Sequence, residues 1–140
     1  MTIHYKEDKD IALAQLINLY EDADWSSYTK NHELLDKAIR NSAYVLSAWE
    51  NEKLVGLIRV ISDDATIIYI QDILVLSGYK RRKIGTTLVK TVLNKYSDIR
   101  QKVLITDESP VTRGFYESVG FLSCDNYQMT AFINVKKRGM

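Results

Sequence analysis

Four consecutive cations, Lys80, Arg81, Arg82 and Lys83, stand in the turn Ser77-Gly78-Tyr79-Lys80-Arg81-Arg82-Lys83-Ile84-Gly85-Thr86. Side chains of that type, with Gly85 allowing close approach of the backbone, suit an anion such as a pyrophosphate. A second candidate lies just upstream. Asp72 interrupts an apolar run, where an ionised carboxylate is costly without a partner or a task. It can serve a reaction as a proton acceptor, or be a structural carboxylate bonded to backbone or to Arg59. Both readings stand on the residues alone, as does the reading of the basic tetrapeptide as a solvated surface run.

These groups are placed by one change of hydrophobic period. From Ile67 to Leu76 only Gln71 and Asp72 break an apolar, largely β-branched stretch, the pattern of a strand covered on both faces and too short to cross a membrane. After the turn, Ile84, Leu88, Val89, Val92, Leu93 and Tyr96 recur as one face of a helix. A buried strand that runs into a helix N-terminus leaves backbone N–H groups aimed outward at the turn, where the amides near Gly85 and Thr86 add to the cations.

The rest of the chain predicts the order β-α-α-β-β-β-α-β-α-β-β. Thr2–Tyr5 reads as a first strand, and Asp10 as the cap of a helix with Leu13, Leu16, Ile17 and Tyr20 on its stripe. Asp22–Tyr28 reads as a loop whose aromatics, Trp25 and Tyr28, either tuck against the core or line an acceptor pocket. A second helix spans about Asn31–Arg40, with Leu34, Leu35, Ala38 and Ile39 inward. Tyr44–Trp49 and Leu54–Ile61 form a hairpin that delivers the chain into the central strand. Val103–Thr106 follows the basic-turn helix and must run parallel to that strand, because a helix crosses between them. Ser109 and Pro110 open the last helix, Val111, Phe115 and Val119 stripe it, and Gly120 stops it. Phe121–Asp125 and Gln128–Val135 are expected to close the fold as an antiparallel pair, ahead of a frayed tail, Lys136–Met140.

At 140 residues the chain reads as one α/β domain, 1–140, with its core in about 2–134. Hydrophobic residues at 46% and charged ones at 26% are ordinary for a globular protein, and a net charge of +1 argues against bulk binding of nucleic acid. The single cysteine, Cys124, excludes an internal disulfide, and His4 and His32 lack ligand spacing, so no metal site is expected. Without an apolar run of about 18 residues or a signal-like start, no membrane association is expected and a cytoplasmic location follows.

Two motifs in this order resemble the GNAT family of N-acetyltransferases. The turn YKRRKIGT resembles the family's Gln/Arg-x-x-Gly-x-Gly/Ala cradle: Lys80 stands at the first position, Lys83 replaces the first glycine and Gly85 keeps the second. The segment Arg113-Gly114-Phe115-Tyr116-Glu117-Ser118-Val119-Gly120-Phe121 is close to the family's FYxxxGF motif. The resemblance covers Thr2 to about Asn134. It implies an acyl-CoA N-acyltransferase fold, a mixed sheet of six to seven strands flanked by about four helices, and transfer of an acetyl group from acetyl-CoA to a primary amine of a small molecule, a polyamine-like or other cationic acceptor or else a peptide amine. It assigns the phosphates to Lys80, Arg81, Arg82, Lys83, Ile84, Gly85 and Thr86, and the pantetheine arm to the backbone of Ile73, Leu74 and Val75. Tyr116 becomes the proton donor to the departing thiolate. Asp72 is the leading base, with Glu108 and Asp107 as substitutes or water alone in their place, and Trp25 and Tyr28 line the acceptor site. A CoA-binding regulatory module of the same fold is the alternative, and self-association as a homodimer is left open.

Overall fold

The computed structural model describes residues 2–136. These fall into two compact units, 1–104 and 105–140, each taken by itself below. The expected tail beyond residue 136 lies outside the described residues.

The first unit holds one five-stranded sheet in the order β1-β2-β3-β4-β5. β1 (His4–Lys6), β2 (Tyr44–Glu50), β3 (Lys53–Ser62) and β4 (Ile67–Val75) pair antiparallel, and β5 (Gln101–Leu104) joins β4 in parallel. α1 (Leu13–Asp22), α2 (Ser26–Thr29) and α3 (His32–Arg40) intervene between β1 and β2, and α4 (Ile84–Lys95) crosses from β4 to β5. The parallel placement of the strand after α4 is as the crossover requires, although it occupies Gln101–Leu104 rather than Val103–Thr106.

Register shows how the sheet acquires two covered faces. Arg59 pairs with Asp72 but Val60 pairs with Ile70, so Gln71 is an extra residue on β4, a bulge. Across it the side-chain phase changes. Gly56, Ile58 and Val60 share a face with Val75, Ile73 and Ile70, and α4 packs there: Ile84 lies against Gly56, and Tyr96 meets Tyr44 edge to face. The opposite face carries Leu57, Arg59, Asp72 and Leu74 and is met by α1, α2 and α3. The core is correspondingly apolar, with Leu16, Leu19, Leu35, Ile39, Leu57, Ile58, Leu88 and Val92 buried.

Several expectations are corrected at this level. The first helix is capped at Ala12 without a side-chain bond, and Asp10 instead pairs with Arg40. Asn31 does cap α3, accepting from the Leu34 N–H, but that position turns Leu34 outward, 59% exposed, because the buried stripe runs through Leu35 and Ile39. The supposed loop Asp22–Tyr28 contains the start of α2, closed by a bond from the Tyr28 N–H to the Trp25 carbonyl.

The second unit contains α5 (Pro110–Ser118) and a short 3-10 turn, Cys124–Tyr127. Ser109 caps α5 by accepting from the Thr112 N–H, and Gly120 follows the helix at φ +105°, a conformation that favours glycine. Val111, expected in the stripe, is 83% exposed. The final strand pair, Phe121–Asp125 with Gln128–Val135, is absent among the described residues, so the sheet has five strands rather than six or seven. Its alternation is overridden by local bonds. Phe121 N–H donates to the Tyr116 carbonyl and Met129 N–H to that of Cys124, while Arg113 donates to Ser123, so the intended strand and turn are consumed in the exit from α5. An alternating pattern makes a strand only where another strand supplies its ladder.

Candidate active site

The basic turn is built by backbone conformations that a side chain resists. After a 3-10 turn at Ser77–Tyr79, Arg81 and Lys83 both take the left-handed region, at φ 69° and 61°. Left-handed residues of this kind are a component of the concave backbone turns that hold anions. Lys83 is the residue before α4 and offers no side-chain cap, while its carbonyl closes the first turn by accepting from Thr87 N–H. The amides of Ile84, Gly85 and Thr86 therefore begin the helix with no partner inside it. Among the described residues no carboxylate pairs with Lys80, Arg81 or Lys83, all of which are exposed. Open amides, a helix dipole and uncompensated cations fit a diphosphate.

The turn is fastened on two sides. Asp22, at the end of α1, accepts from both the N–H and the hydroxyl of Ser77, at 2.9 and 2.6 Å. Tyr79 donates to Glu50 and lies under the guanidinium of Arg82, 5.1 Å from the ring centre. Its phenol is held above the usual range, chiefly by the bond to Glu50.

β4 feeds this turn, and its two edges differ. Ile73, Leu74 and Val75 pair with Ile58, Leu57 and Gly56 of β3. On the other side β5 pairs only with Ile67–Ile70, so among the described residues of the first unit β4 has no strand partner at that edge from Gln71 onward. Pairing stops at the bulge, which bends the strand away. The backbone of Ile73–Val75 thus has a free edge, the arrangement that a pantetheine arm would need.

Asp72 sits on the opposite side of the same strand in a closed network. Its Oδ2 accepts from Arg59 Nε at 2.7 Å and from the Tyr20 hydroxyl at 2.9 Å, and its Oδ1 accepts from the Tyr28 hydroxyl at 3.0 Å. The side chains of Arg59 and Asp72 are 7% and 1% exposed. The guanidinium spends its remaining donors on the Ala38 carbonyl, Ser42 Oγ and the Tyr28 oxygen. Burial, then Asp72, pushes both the Tyr20 and Tyr28 phenols upward, so both remain donors at neutral pH. Arg59 is therefore the partner that one sequence reading gave Asp72. Tyr20 and Gln71 were not singled out as site residues, although a phenol at the inner end of a helix stripe requires a polar partner.

The two aromatics assigned to the acceptor are brought together with this network. Trp25 and Tyr28 stack with ring centres 5.9 Å apart, and Tyr20 meets both at 6.0 and 5.1 Å. Gln71 adds a bond to the Tyr28 oxygen from the bulge, at 3.2 Å. Trp25 and Tyr28 are half-buried, so each keeps an outward part.

Tyr116 belongs to the second unit. It lies on α5 between Phe115 and Phe121, whose rings meet it edge to face at 5.0 and 5.9 Å, and burial pushes its phenol up to about 12. Among the described residues its hydroxyl has no hydrogen-bond partner, which leaves the proton available. Glu108, by contrast, accepts twice from Arg113, at 2.6 and 2.8 Å, and the Arg113 bond holds its carboxyl below the usual range.

Comparison with known proteins identifies the fold and the family. No curated protein sequence matches the chain. Among solved structures, a GNAT family acetyltransferase from Streptococcus pneumoniae superposes with a TM-score of 0.85 at 29% identity, over 97% of this chain and 99% of that one. Two others share the fold: the PaiA N-acetyltransferase of Thermoplasma acidophilum in complex with coenzyme A, with a TM-score of 0.72 at 20% identity over 87% and 91% of the chains, and an aminoglycoside acetyltransferase from an uncultured soil metagenomic sample in complex with sisomicin, with 0.69 at 21% over 97% and 96%. Residues 6–136 match the model of the acetyltransferase (GNAT) domain, and the chain accordingly belongs to the GNAT family of acetyltransferases.

Proposed function

We propose that this acetyltransferase moves the acetyl group of acetyl-CoA to a primary amine of a small molecule, by direct attack of the neutral amine on the thioester carbon. The carrying observation is the turn Lys80–Thr86, where two left-handed residues and a helix start without a side-chain cap present amides beside exposed cations. Lys80, Arg81, Arg82 and Lys83 with the amides of Ile84, Gly85 and Thr86 bind the diphosphate, and the free edge of Ile73–Val75 takes the pantetheine arm. As the C–N bond forms and the C–S bond breaks, Tyr116 gives its proton to the sulfur, the amine nitrogen loses one to solvent, and the phenolate takes one back from solvent. Asp72 is left out of that proton path, because both of its oxygens are already occupied by donors.

The test is uptake and turnover by the full chain. Calorimetry at modest ionic strength is expected to detect acetyl-CoA, and thiol release is expected with at least one of spermidine, tyramine and sisomicin. Tyr116→Phe should lower kcat far more than acetyl-CoA affinity. Uptake without thiol release from any amine would leave a CoA-binding regulatory module, and no uptake at all would end the assignment of the turn.

A further inference from the structure

The polar network behind the aromatic pair ends on one group. Arg59 is the only cation in it, and its guanidinium reaches three elements: Asp72 of β4, the Ala38 carbonyl of α3 with Ser42 beyond it, and the phenol of Tyr28 on α2. Asp72 bonds the same phenol from the other side. Tyr28 therefore has its oxygen fixed by three side chains, Arg59, Asp72 and Gln71, on two adjacent strands, while its ring, 6.0 Å from the guanidinium carbon, has Trp25 stacked against it. A four-residue helix has too few internal bonds to hold itself. What seats α2, and Trp25 just before it, is this anchorage of Tyr28.

We propose that Arg59 is a positioning residue for the acceptor: acting through Asp72 and Tyr28, it holds the Trp25–Tyr28 pair as the wall against which the amine substrate lies. This rests on the acetyltransferase reading above and on the assignment of Trp25 and Tyr28 to the acceptor. It gives the buried carboxylate a task other than proton abstraction. Asp72 keeps Arg59 in place and fills one side of the Tyr28 oxygen, and a displaced wall costs acceptor affinity rather than the chemical step.

The experiment uses the full chain carrying Trp49→Phe, which leaves Trp25 as the one tryptophan. Into it are introduced Asp72→Asn, Arg59→Met and, as a variant that retains the ring and the buried ion pair, Tyr28→Phe. Steady-state kinetics with spermidine, tyramine and sisomicin are expected to show KM for the amine raised about tenfold in Tyr28→Phe and Asp72→Asn, with kcat within roughly twofold and KM for acetyl-CoA unchanged. The pH profile of kcat should keep its shape, and acrylamide quenching of Trp25 should rise in all three variants. A collapse of kcat in Asp72→Asn, with the limb on the acid side of the profile lost and KM for the amine unmoved, would make Asp72 the base and overturn the proposal. So would a lowered melting temperature with Trp25 quenching and amine KM both unchanged, the signature of a purely structural pair. If acetyl-CoA binds but none of the three amines is turned over, the acetyltransferase reading fails on its own, and the quenching series still decides whether Arg59 holds the wall.

Discussion

Arg59 Nε and Asp72 Oδ2 meet at 2.7 Å in direct cross-strand register, on a face of the sheet otherwise filled by Leu57, Leu74 and the helices above. Both partners are almost wholly removed from water, so the pair is worth more for what its loss exposes than for its attraction. Arg59→Met, which strands a buried carboxylate on two phenols, is expected to cost about 3–5 kcal/mol in denaturant unfolding. The double variant Arg59→Met/Asp72→Asn should cost clearly less than the two single changes added together. Strict additivity would show that the two groups do not support each other.

A second prediction concerns how α4 is seated. A Cβ at Gly56 would stand 3.0 Å from Ile84 Cγ2 and 3.3 Å from the Leu74 carbonyl oxygen, and the latter is backbone and cannot swing aside. Gly56→Ala is expected to destabilise by about 1–3 kcal/mol and, by lifting the first turn of α4, to weaken acetyl-CoA binding. Calorimetry beside a denaturant titration checks both, and unchanged affinity would detach the seat of the helix from the cradle.

Lys83 carries opposing demands, a charge that the diphosphate favours and a backbone at φ 61° that a side chain resists. Lys83→Gly should raise stability by about 0.5–1 kcal/mol, since the left-handed strain of roughly 1 kcal/mol is relieved, whereas Lys83→Ala should bring no such gain. Both should bind acetyl-CoA less tightly at low salt, the difference from wild type shrinking as salt is added.

For Tyr116 the sign of the pH effect follows from burial. The phenol serves as a donor only while protonated, and its value, pushed up to about 12, keeps the proton in place well past the ordinary tyrosine range. With a saturating amine, kcat should hold steady to about pH 10, where an unperturbed phenol near 10 would already be half ionised. A half-maximal fall near pH 10 that vanishes in Tyr116→Phe would show the phenol to be exposed to solvent during turnover.

The sequence carried the elements with a strong period or strong caps. Ile67–Val75 and Ile84–Lys95 appear within a residue or two of their expected bounds, since burial on a fixed face constrains each position, and Pro110–Ser118 does so through Ser109, Pro110 and Gly120 at its ends. The exposed cations and Gly85 of the basic turn were readable in the sequence, but not the left-handed turn at Lys83, because backbone conformation there is set by how β4 and α4 must join. Asp72 was visible as a carboxylate in an apolar run. Its partners Tyr20 and Tyr28 were not, because residues more than forty positions apart meet only through topology. Phe121–Val135 misled for the converse reason: alternation was present, but α5 and Arg113 had already claimed the hinge of the expected hairpin.

Besides the side chain that reaches Tyr28, Gln71 brings an extra peptide unit to its strand. Excising it would leave Asp72 opposite Arg59 and Ile70 opposite Val60, so the interior would survive, but the strand would straighten just where its ladder with β5 ends. One surplus amino acid thus bends the strand that leads to the basic turn, and a chain shortened by it should melt much like the parent while losing its grip on a thioester.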